Sequence, residues 1–572
     1  MRKTSHFDPL PWAILVLHAG LLGWIASRTS PNVDEVAHLP AGISYWQFGD
    51  FQLYSVNPPL VRFVAAAPVL LAQPKLDWDA TLSGPQSRPE WQVARRFIAA
   101  NGSRFLWYFR LARWACLVFP VMGGYFCWKW ANALYGRSAG LIALILWSSS
   151  PMVLAWGSTI TPDVPAGATG IAAGYCLTQW LRRGDWRSAV IAGLTLGIAL
   201  LTKTTWMVLF ALWPVLWAVV RIAGRRATTE AAARPSLGQL CVVLVIGLYC
   251  LNAGYGFEGT GELLRDKTFV SRTLAGEDSI LEGGAGGNRF TDSLIGWCPV
   301  PLPRHHIRGM DLQKYDFEKG RWSFLDGEWR FGGWWYYYLV ALLYKVPLGT
   351  WLLAAVALAA AVFDRRKGSE SWIDELVLAA TAMVVLALIS SQTGINRDVR
   401  YVIACFPFAF VWISRVGRLV DSRRMVFATV VVIGLVWTVV SSMLIYPNAH
   451  SYFNELAGGP AGGPAHLLHS NVDWGEDLLY LRQWYEKHPH ARPLYADCVA
   501  AFDLTLLGME VRRIRSGNNA DSGGAGNLQH PAPGWYAISL DRLYGRRGKH
   551  SYFQTQTAVD TAGYSIRIYH VE

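Results

Sequence analysis

Charge is scarce in this chain. Only 16% of its 572 residues are Asp, Glu, Lys or Arg, against 52% hydrophobic, a balance that excludes an ordinary soluble enzyme. Cysteine is no more helpful to a metal site: the eight cysteines show no ligand spacing. Cys116, Cys127, Cys176, Cys241, Cys250 and Cys405 lie in or beside apolar runs and read as packing residues. Cys298 and Cys498 fall in polar stretches, where a disulfide between them is not expected. There is no convincing internal repeat, which counts against a transporter built from inverted halves. No basic patch exists either, although the net charge is +12. Lys and Arg flank the apolar runs instead, which excludes nucleic acid as a partner and suits orientation in a bilayer. No small-residue cleavage site precedes the first acidic pair, so the run Leu10–Ala26, behind Arg2 and Lys3, reads as an uncleaved first helix.

What is present is a succession of apolar runs. After Leu10–Ala26 come roughly 114–130, 139–157, 164–181, 188–202, 206–220 and 237–254, then 346–363, 373–391, 401–414 and 425–446. They predict an α-helical polytopic membrane protein with about eleven transmembrane helices. The stretch Ala189–Val220 is the ambiguous one. Basic groups at both of its ends are satisfied by a hairpin with Lys203 at the tip. With that hairpin the short basic loops (Lys129/Arg137, Arg182–Arg187, Arg221–Arg234, Arg365–Lys367, Arg415–Arg424) all face one side. The positive-inside rule then places the N-terminus in the cytoplasm and the two long loops, about 28–109 and 255–335, outside. Residues 1–446 read as the membrane domain and 447–572 as a small extracytoplasmic α/β domain. Its helix is expected near 474–488, with strands at 493–499, 535–540 and 564–571 and a mobile Gly/Asn/Pro-rich stretch at 517–534. The 28 Trp and 24 Tyr suit two membrane interfaces. The short apolar stretch Phe63–Leu71 is expected along one of them.

Chemistry is expected where acids meet cations on the outer side. Asp34 and Glu35 stand within about one helical turn of a membrane exit, where ionised groups are costly and mark sites; the same pair could equally solvate a helix start. His38 lies one turn beyond Asp34 on the same face. Asp163, Lys203 and the pair Arg397/Arg400 sit at other helix mouths on that side, and short external loops normally avoid such cations. The other reading of Arg397 is a simple pair with Asp398. Together these groups describe a pocket with a general base and a cationic cradle, suited to transfer of a group from a lipid phosphate. A leaving phosphate needs no general acid, whereas a glycosidase needs two separated carboxyls. Adjacent residues such as Asp34 and Glu35 cannot form that pair alone. Asp77-Trp-Asp79, and His305-His306 with Asp311, leave a divalent cation as an open alternative, though none is required. The aromatic cluster Phe324–Tyr338 is either an interface belt or a sugar-stacking wall.

Six motifs in order carry a resemblance. They are the acidic pair after the first span, Asn57-Pro-Pro-Leu60, Asp163, Gly333-Trp-Trp-Tyr-Tyr-Tyr338 with Lys345-Val-Pro347, Arg400-Tyr401, and Asn471-Val-Asp-Trp-Gly-Glu-Asp477. Over about residues 10–485 the chain resembles the GT-C glycosyltransferases, and specifically glycosyltransferase family 39 with its protein O-mannosyltransferases and related lipid A aminoarabinose transferases. The resemblance implies a GT-C fold and an inverting transferase at the outer face of a bacterial inner membrane. It implies a polyprenyl-phosphate-linked sugar as donor, a protein, lipid or glycan hydroxyl as acceptor, and no metal in the mannosyltransferase branch. It also implies Asp34 as base, with Glu35 orienting, and Asp163 lining the sugar or acceptor site. His38, Asn57, Lys203, Lys345, Arg397 and Arg400 are the expected substrate-binding groups. The second loop lacks the trefoil domain of the eukaryotic mannosyltransferases. A transporter or flippase of lipid-linked sugars is the competing expectation; the bulky external loops and charges at helix mouths weigh against it.

Overall fold

The computed structural model describes residues 8–79, 86–224, 234–363, 372–421, 425–514 and 531–572. Arg2, Lys3, Arg225, Arg226, Arg365–Lys367, Arg423, Arg424 and most of the 517–534 stretch lie outside the described residues. Each of the eleven expected apolar runs is helical. Among the described residues, six helical stretches are long and apolar enough to cross a membrane: Leu10–Arg28, Glu90–Tyr135, Thr204–Ala223, Trp372–Ser391, Val399–Asp421 and Met425–Met443. Two bent pairs raise the number to eight, Arg137–Ser149 with Pro151–Gly157 (57°) and Tyr337–Lys345 with Leu348–Val362 (113°). The expectation of eleven is met in part: the other three apolar runs are helical but fall short in length or apolarity. Trp186–Leu200 and Leu237–Ala253 are shorter than the ~20 residues a span needs. Asp163–Arg183 has the length, but it is rich in Gly, Ala and Thr and is buried along most of its course.

Close packing around that buried helix positions two of the site groups. A Cβ on Gly170 would lie 2.1 Å from the Trp206 ring, so only glycine lets the indole seat there. The Trp206 Nε1–H donates to the Ala166 carbonyl (3.1 Å), and the Thr169 and Thr202 hydroxyls meet at 3.0 Å. The break between Trp186–Leu200 and Leu209–Gly224 is thereby pressed against the start of the Asp163 helix, with Lys203 at the break as expected.

The first long loop contributes Glu35–Phe48 and Leu60–Leu71, packed on each other through Gly42, which faces the Arg62 carbonyl. The second contributes a helix, Arg304–Lys319, and a hairpin of β1 (Trp322–Leu325) with β2 (Glu328–Phe331). Two glycines seat that helix. A Cβ on Gly309 would stand 1.9 Å from the Ser55 carbonyl oxygen, and one on Gly394 would stand 2.0 Å from that of Phe317. The helix thus closes over the first long loop on one side and the Thr393–Ile395 turn on the other.

The C-terminal part is the expected small α/β unit. Leu478–Lys487 is its helix, and β3 (Leu494–Asp497), β5 (Gly534–Ser539) and β7 (Ile566–Val571) are the anticipated strands. Two short strands, β4 (Val511–Arg513) and β6 (Asp560–Ala562), complete a sheet of order β4-β3-β5-β7-β6. Its first three strands are parallel and β7 is antiparallel to both neighbours.

Candidate active site

Asn32 and Glu35 set the entrance of the acidic helix. The Asn32 Oδ1 accepts from the N–H groups of Asp34 and Glu35 (3.1 Å each), and the Glu35 Oε2 accepts from the Asn32 N–H (2.9 Å). This is the reciprocal arrangement of a capping box, and it leaves the Asp34 carboxylate free of capping duty. Glu35 then turns inward. Arg113 grips both of its oxygens, Nε at 2.8 Å and Nη2 at 2.6 Å. The same guanidinium donates to the carbonyls of Ala26, Thr29 and Ser30, and the Ile160 N–H adds a further bond to Glu35. Both partners are fully buried. The pair ties the end of the first helix to the helix Phe105–Cys116 and to the loop before Asp163.

Asp34 faces a cavity of about 460 Å³, within the usual range for small-molecule sites (about 300–1,000 Å³). His38, Asn57, Asp163, Lys203, Arg397 and Arg400 also line it. An unbroken charge chain runs through it. Asp34 pairs with Arg400 through a close Oδ2–Nη1 contact. Arg400 Nη1 stands 3.9 Å from Asp163 Oδ2, and Asp163 Oδ1 accepts from Lys203 Nζ at 2.6 Å. The Trp474 indole N–H donates to Asp34 Oδ2 (3.1 Å). Aromatic faces of Trp156, Tyr401 and Trp474 lie 4.7, 5.4 and 5.7 Å from the Arg400 guanidinium, holding it by cation–π attraction where water is scarce.

The remaining expected residues divide. His38 stacks on Tyr54 (4.8 Å between rings); burial, with Arg62 and Arg400 nearby, pushes its imidazole well below the ordinary histidine range, so it stands neutral with Nδ1 unbonded. The Asn57 carbonyl accepts from Arg62, which also caps Tyr54 and Pro58 and fixes the Asn57-Pro58-Pro59 turn. Arg397 lines the cavity and also pairs with Asp398 at 3.5 Å, so the two expectations for it hold together. Glu35 and Lys345 are not brought to the cavity. Lys345 is buried beneath it, donating to the carbonyls of His450 (2.9 Å) and Asn471 (2.7 Å) and facing the Phe453 ring.

Several lining groups escape sequence reasoning. Arg88 and Arg321 face the cavity and both approach Asp316, at 3.4 and 3.8 Å. They come from irregular loops in which no periodicity marks them. Arg113 carried a usable signal, an arginine inside an apolar helix. Trp474, by contrast, lies in the Asn471–Asp477 motif that the sequence marks, a buried acidic turn: burial pushes the Asp473 carboxyl up to about 7 and that of Glu476 well above the ordinary range. The Glu476 carboxyl accepts the Trp474 backbone N–H at 2.7 Å, so the acids hold the indole toward Asp34.

For a cation, the carboxylates of the two sequence candidates are committed elsewhere, while His305 joins a different group. Asp77 and Asp79 pair with Arg96, and Asp311 accepts the backbone N–H groups of Val270 and Ser271. Among the described residues, Asp50, Glu258 and His305 lie within 4.8 Å of one another with the donor set of a metal site.

Residues 109–249, which include Asp163 and Lys203 but not Asp34 or Arg400, match the family model of dolichyl-phosphate-mannose-protein mannosyltransferase. No curated protein matches the chain. Among solved structures it is similar to ArnT from Cupriavidus metallidurans in the apo state, at 14% identity and a TM-score of 0.43, covering 97% of each chain. It is similar to the same protein bound to undecaprenyl phosphate at 12% identity and 0.42, covering 98% of each. It is also similar to the Archaeoglobus fulgidus oligosaccharyltransferase, in complex with Zn and sulfate, at 11% identity and 0.39, covering 92% of this chain and 68% of that one. The resemblance to glycosyltransferase family 39 seen in the external motifs is thus met, over residues 109–249, by a model of protein mannosyltransferases.

Proposed function

We propose that the chain is an inverting glycosyltransferase that moves a sugar from a polyprenyl-phosphate-linked donor to an acceptor hydroxyl at the outer face of the membrane. One observation carries the reading: two carboxylates and two cations alternate, Asp34–Arg400–Asp163–Lys203, around a single cavity. Asp34 takes the acceptor proton. The acceptor oxygen attacks the anomeric carbon from the face opposite the phosphate, and the carbon–oxygen bond to phosphate breaks with its electron pair leaving on the phosphate. Lys203 and Arg400 stabilise that charge; both lie against carboxylates before donor arrives, and the phosphate shares them. Asp163 lies between Lys203 and Arg400, at 2.6 and 3.9 Å, and so holds both cations at the cavity. ArnT bound to undecaprenyl phosphate and the mannosyltransferase family model make a lipid-linked donor the natural class. The acceptor is a protein, lipid or glycan, and no metal enters the step.

The test is sugar transfer by purified protein in liposomes, offered a panel of polyprenyl-phosphate sugars, with products read by mass. Asp34→Asn should lower turnover by about 10²–10⁴, the usual cost of a lost general base. Lys203→Met and Arg400→Met should each weaken donor use by about one to two orders of magnitude, the scale of a lost charged hydrogen bond. The loss should appear in turnover as well as in KM, because charge builds on the phosphate as the bond breaks. Arg482→Met, an exposed pair with Glu486 on the outer helix, is the control. Passage of intact sugar lipid across the bilayer without transfer would establish the transporter instead.

A further inference from the structure

Between Asp292 and Arg304 the second external stretch runs eleven residues without a charge, Ser293-Leu-Ile-Gly-Trp-Cys-Pro-Val-Pro-Leu-Pro303. Its first part is a single 3₁₀ turn, Leu294–Trp297. Leu294 is 91% exposed, Ile295 59% and Trp297 62%, whereas Gly296 is buried against the Phe290 carbonyl and holds the turn down. Three large apolar side chains on one four-residue turn are thus turned out of the protein. Such a group marks a contact surface.

The turn stands on a rigid base. Leu263 bridges Pro299, the Leu264 N–H donates to the Cys298 carbonyl (3.1 Å), and the Gly261 N–H donates to that of Val300 (2.9 Å). Beneath it Phe269, Ala275 and Ile307 form a small core of their own, with Phe290, Val300 and Leu302 packed on it. The Arg265 guanidinium lies 4.1 Å from the Trp297 ring centroid and keeps the indole turned outward.

The base is fastened to the outer end of an apolar helix. In Leu237–Ala253, Asn252 donates to the Pro301 carbonyl (3.0 Å) and accepts from the Thr260 hydroxyl. Trp297 is four residues from that anchor, so it lies within about 14 Å of the helix end along the chain. That helix exposes Val245 and Tyr249, and the Tyr249 ring meets exposed Phe257 at 5.4 Å just past its end. The apolar face of a lipid-contacting helix therefore continues past its last turn toward the Leu294–Trp297 finger. Trp at headgroup level with Leu and Ile beyond it is the composition of an interfacial anchor.

We infer that Leu294, Ile295 and Trp297 form a finger that dips into the outer leaflet and fixes the second external stretch, with the helix Arg304–Lys319 that closes the cavity, against the bilayer surface. The occupant of the patch is lipid. This rests on the multi-pass membrane reading, and the experiment separates the two. Benzoylphenylalanine replaces Leu294, Val245 (on the apolar helix) or Val559 (exposed on the C-terminal unit) in full-length protein in phosphatidylcholine–phosphatidylglycerol liposomes. After irradiation, adducts are read by mass. The inference expects lipid adducts at 294 and 245 and none at 559. Lipid adducts at 245 with none at 294 overturn the finger, as does a cross-linked second copy at 294 in place of lipid. No lipid adduct at either position overturns the membrane reading and the finger with it.

Discussion

Asp34 turns its carboxylate toward Arg400 and Trp474, while Glu35, one residue later, points into a dry pair with Arg113. An α-helix turns about 100° per residue, so neighbouring acids at a helix start face different surroundings. That much was legible: the sequence separates the two roles without saying which acid faces the site. The deciding partner, Arg113, lies 78 residues on inside an apolar helix, and nothing local points from one to the other. Breaking a buried pair by removing one charge costs about 3–5 kcal/mol, because the survivor stays desolvated. Glu35→Gln should therefore lower the melting temperature and the yield of folded protein strongly. Asp34→Asn should cost less stability, because Arg400 keeps Asp163 at 3.9 Å and Asp34 is partly solvated, and should lose turnover instead. Thermal unfolding beside transfer kinetics reads the difference; a Glu35→Gln protein that melts normally and has lost turnover would return Glu35 to the chemistry.

The apolar runs were legible as helices because hydropathy is a local property. Their bends and shortness were not, since those follow from what packs beside them. The 57° break between Arg137–Ser149 and Pro151–Gly157 falls at a proline, but the seat of Trp206 on Gly170 depends on two helices meeting. The same holds for the helix Arg304–Lys319. It was expected only as part of a long loop with candidate metal ligands, and it supplies Met310, Gln313, Asp316 and Phe317 to the cavity. Its approach depends on Gly309 lying against the Ser55 backbone. A methyl group there must push the helix away, because a backbone carbonyl cannot rotate aside as a flexible side chain can. Overpacking of this kind typically costs about 1–3 kcal/mol. Gly309→Ala should raise KM for donor and acceptor together while the membrane helices stay intact, and the melting temperature should fall by a few degrees. Unchanged kinetics in Gly309→Ala would mean that this helix does not shape the site.

At the scale of the whole molecule, the ends of four helical segments decide the sidedness. Asp34 follows Leu10–Arg28, Asp163 opens Asp163–Arg183, Lys203 follows Trp186–Leu200, and Arg400 opens Val399–Asp421. All four side chains line one cavity, so these ends share one side of the membrane. The opposite ends carry the basic groups. Arg182 and Arg183 close the Asp163 helix, which at 1.5 Å per residue puts them about 30 Å from Asp163, the thickness of the hydrocarbon layer. Arg415 and Arg418 stand near the far end of the Arg400 segment, and Arg137 and Arg221 lie at the ends of their own helices. Short basic loops stay in the cytoplasm, and the proposed orientation on that rule has the cavity opening outside. Residues 447–572 share the cavity's side, because Trp474 bonds to Asp34 and the Ser30 N–H donates to the Glu476 carbonyl. A periplasm-active phosphatase fused after Tyr446 should therefore be active, and a fluorescent protein that matures only in the cytoplasm should stay dark. A second fusion within residues 225–233, in the basic loop, should give the reverse. Fluorescence after Tyr446 would put the cavity in the cytoplasm, where two carboxylates and two cations at helix mouths would face nucleotide-linked rather than outer-leaflet lipid-linked sugars.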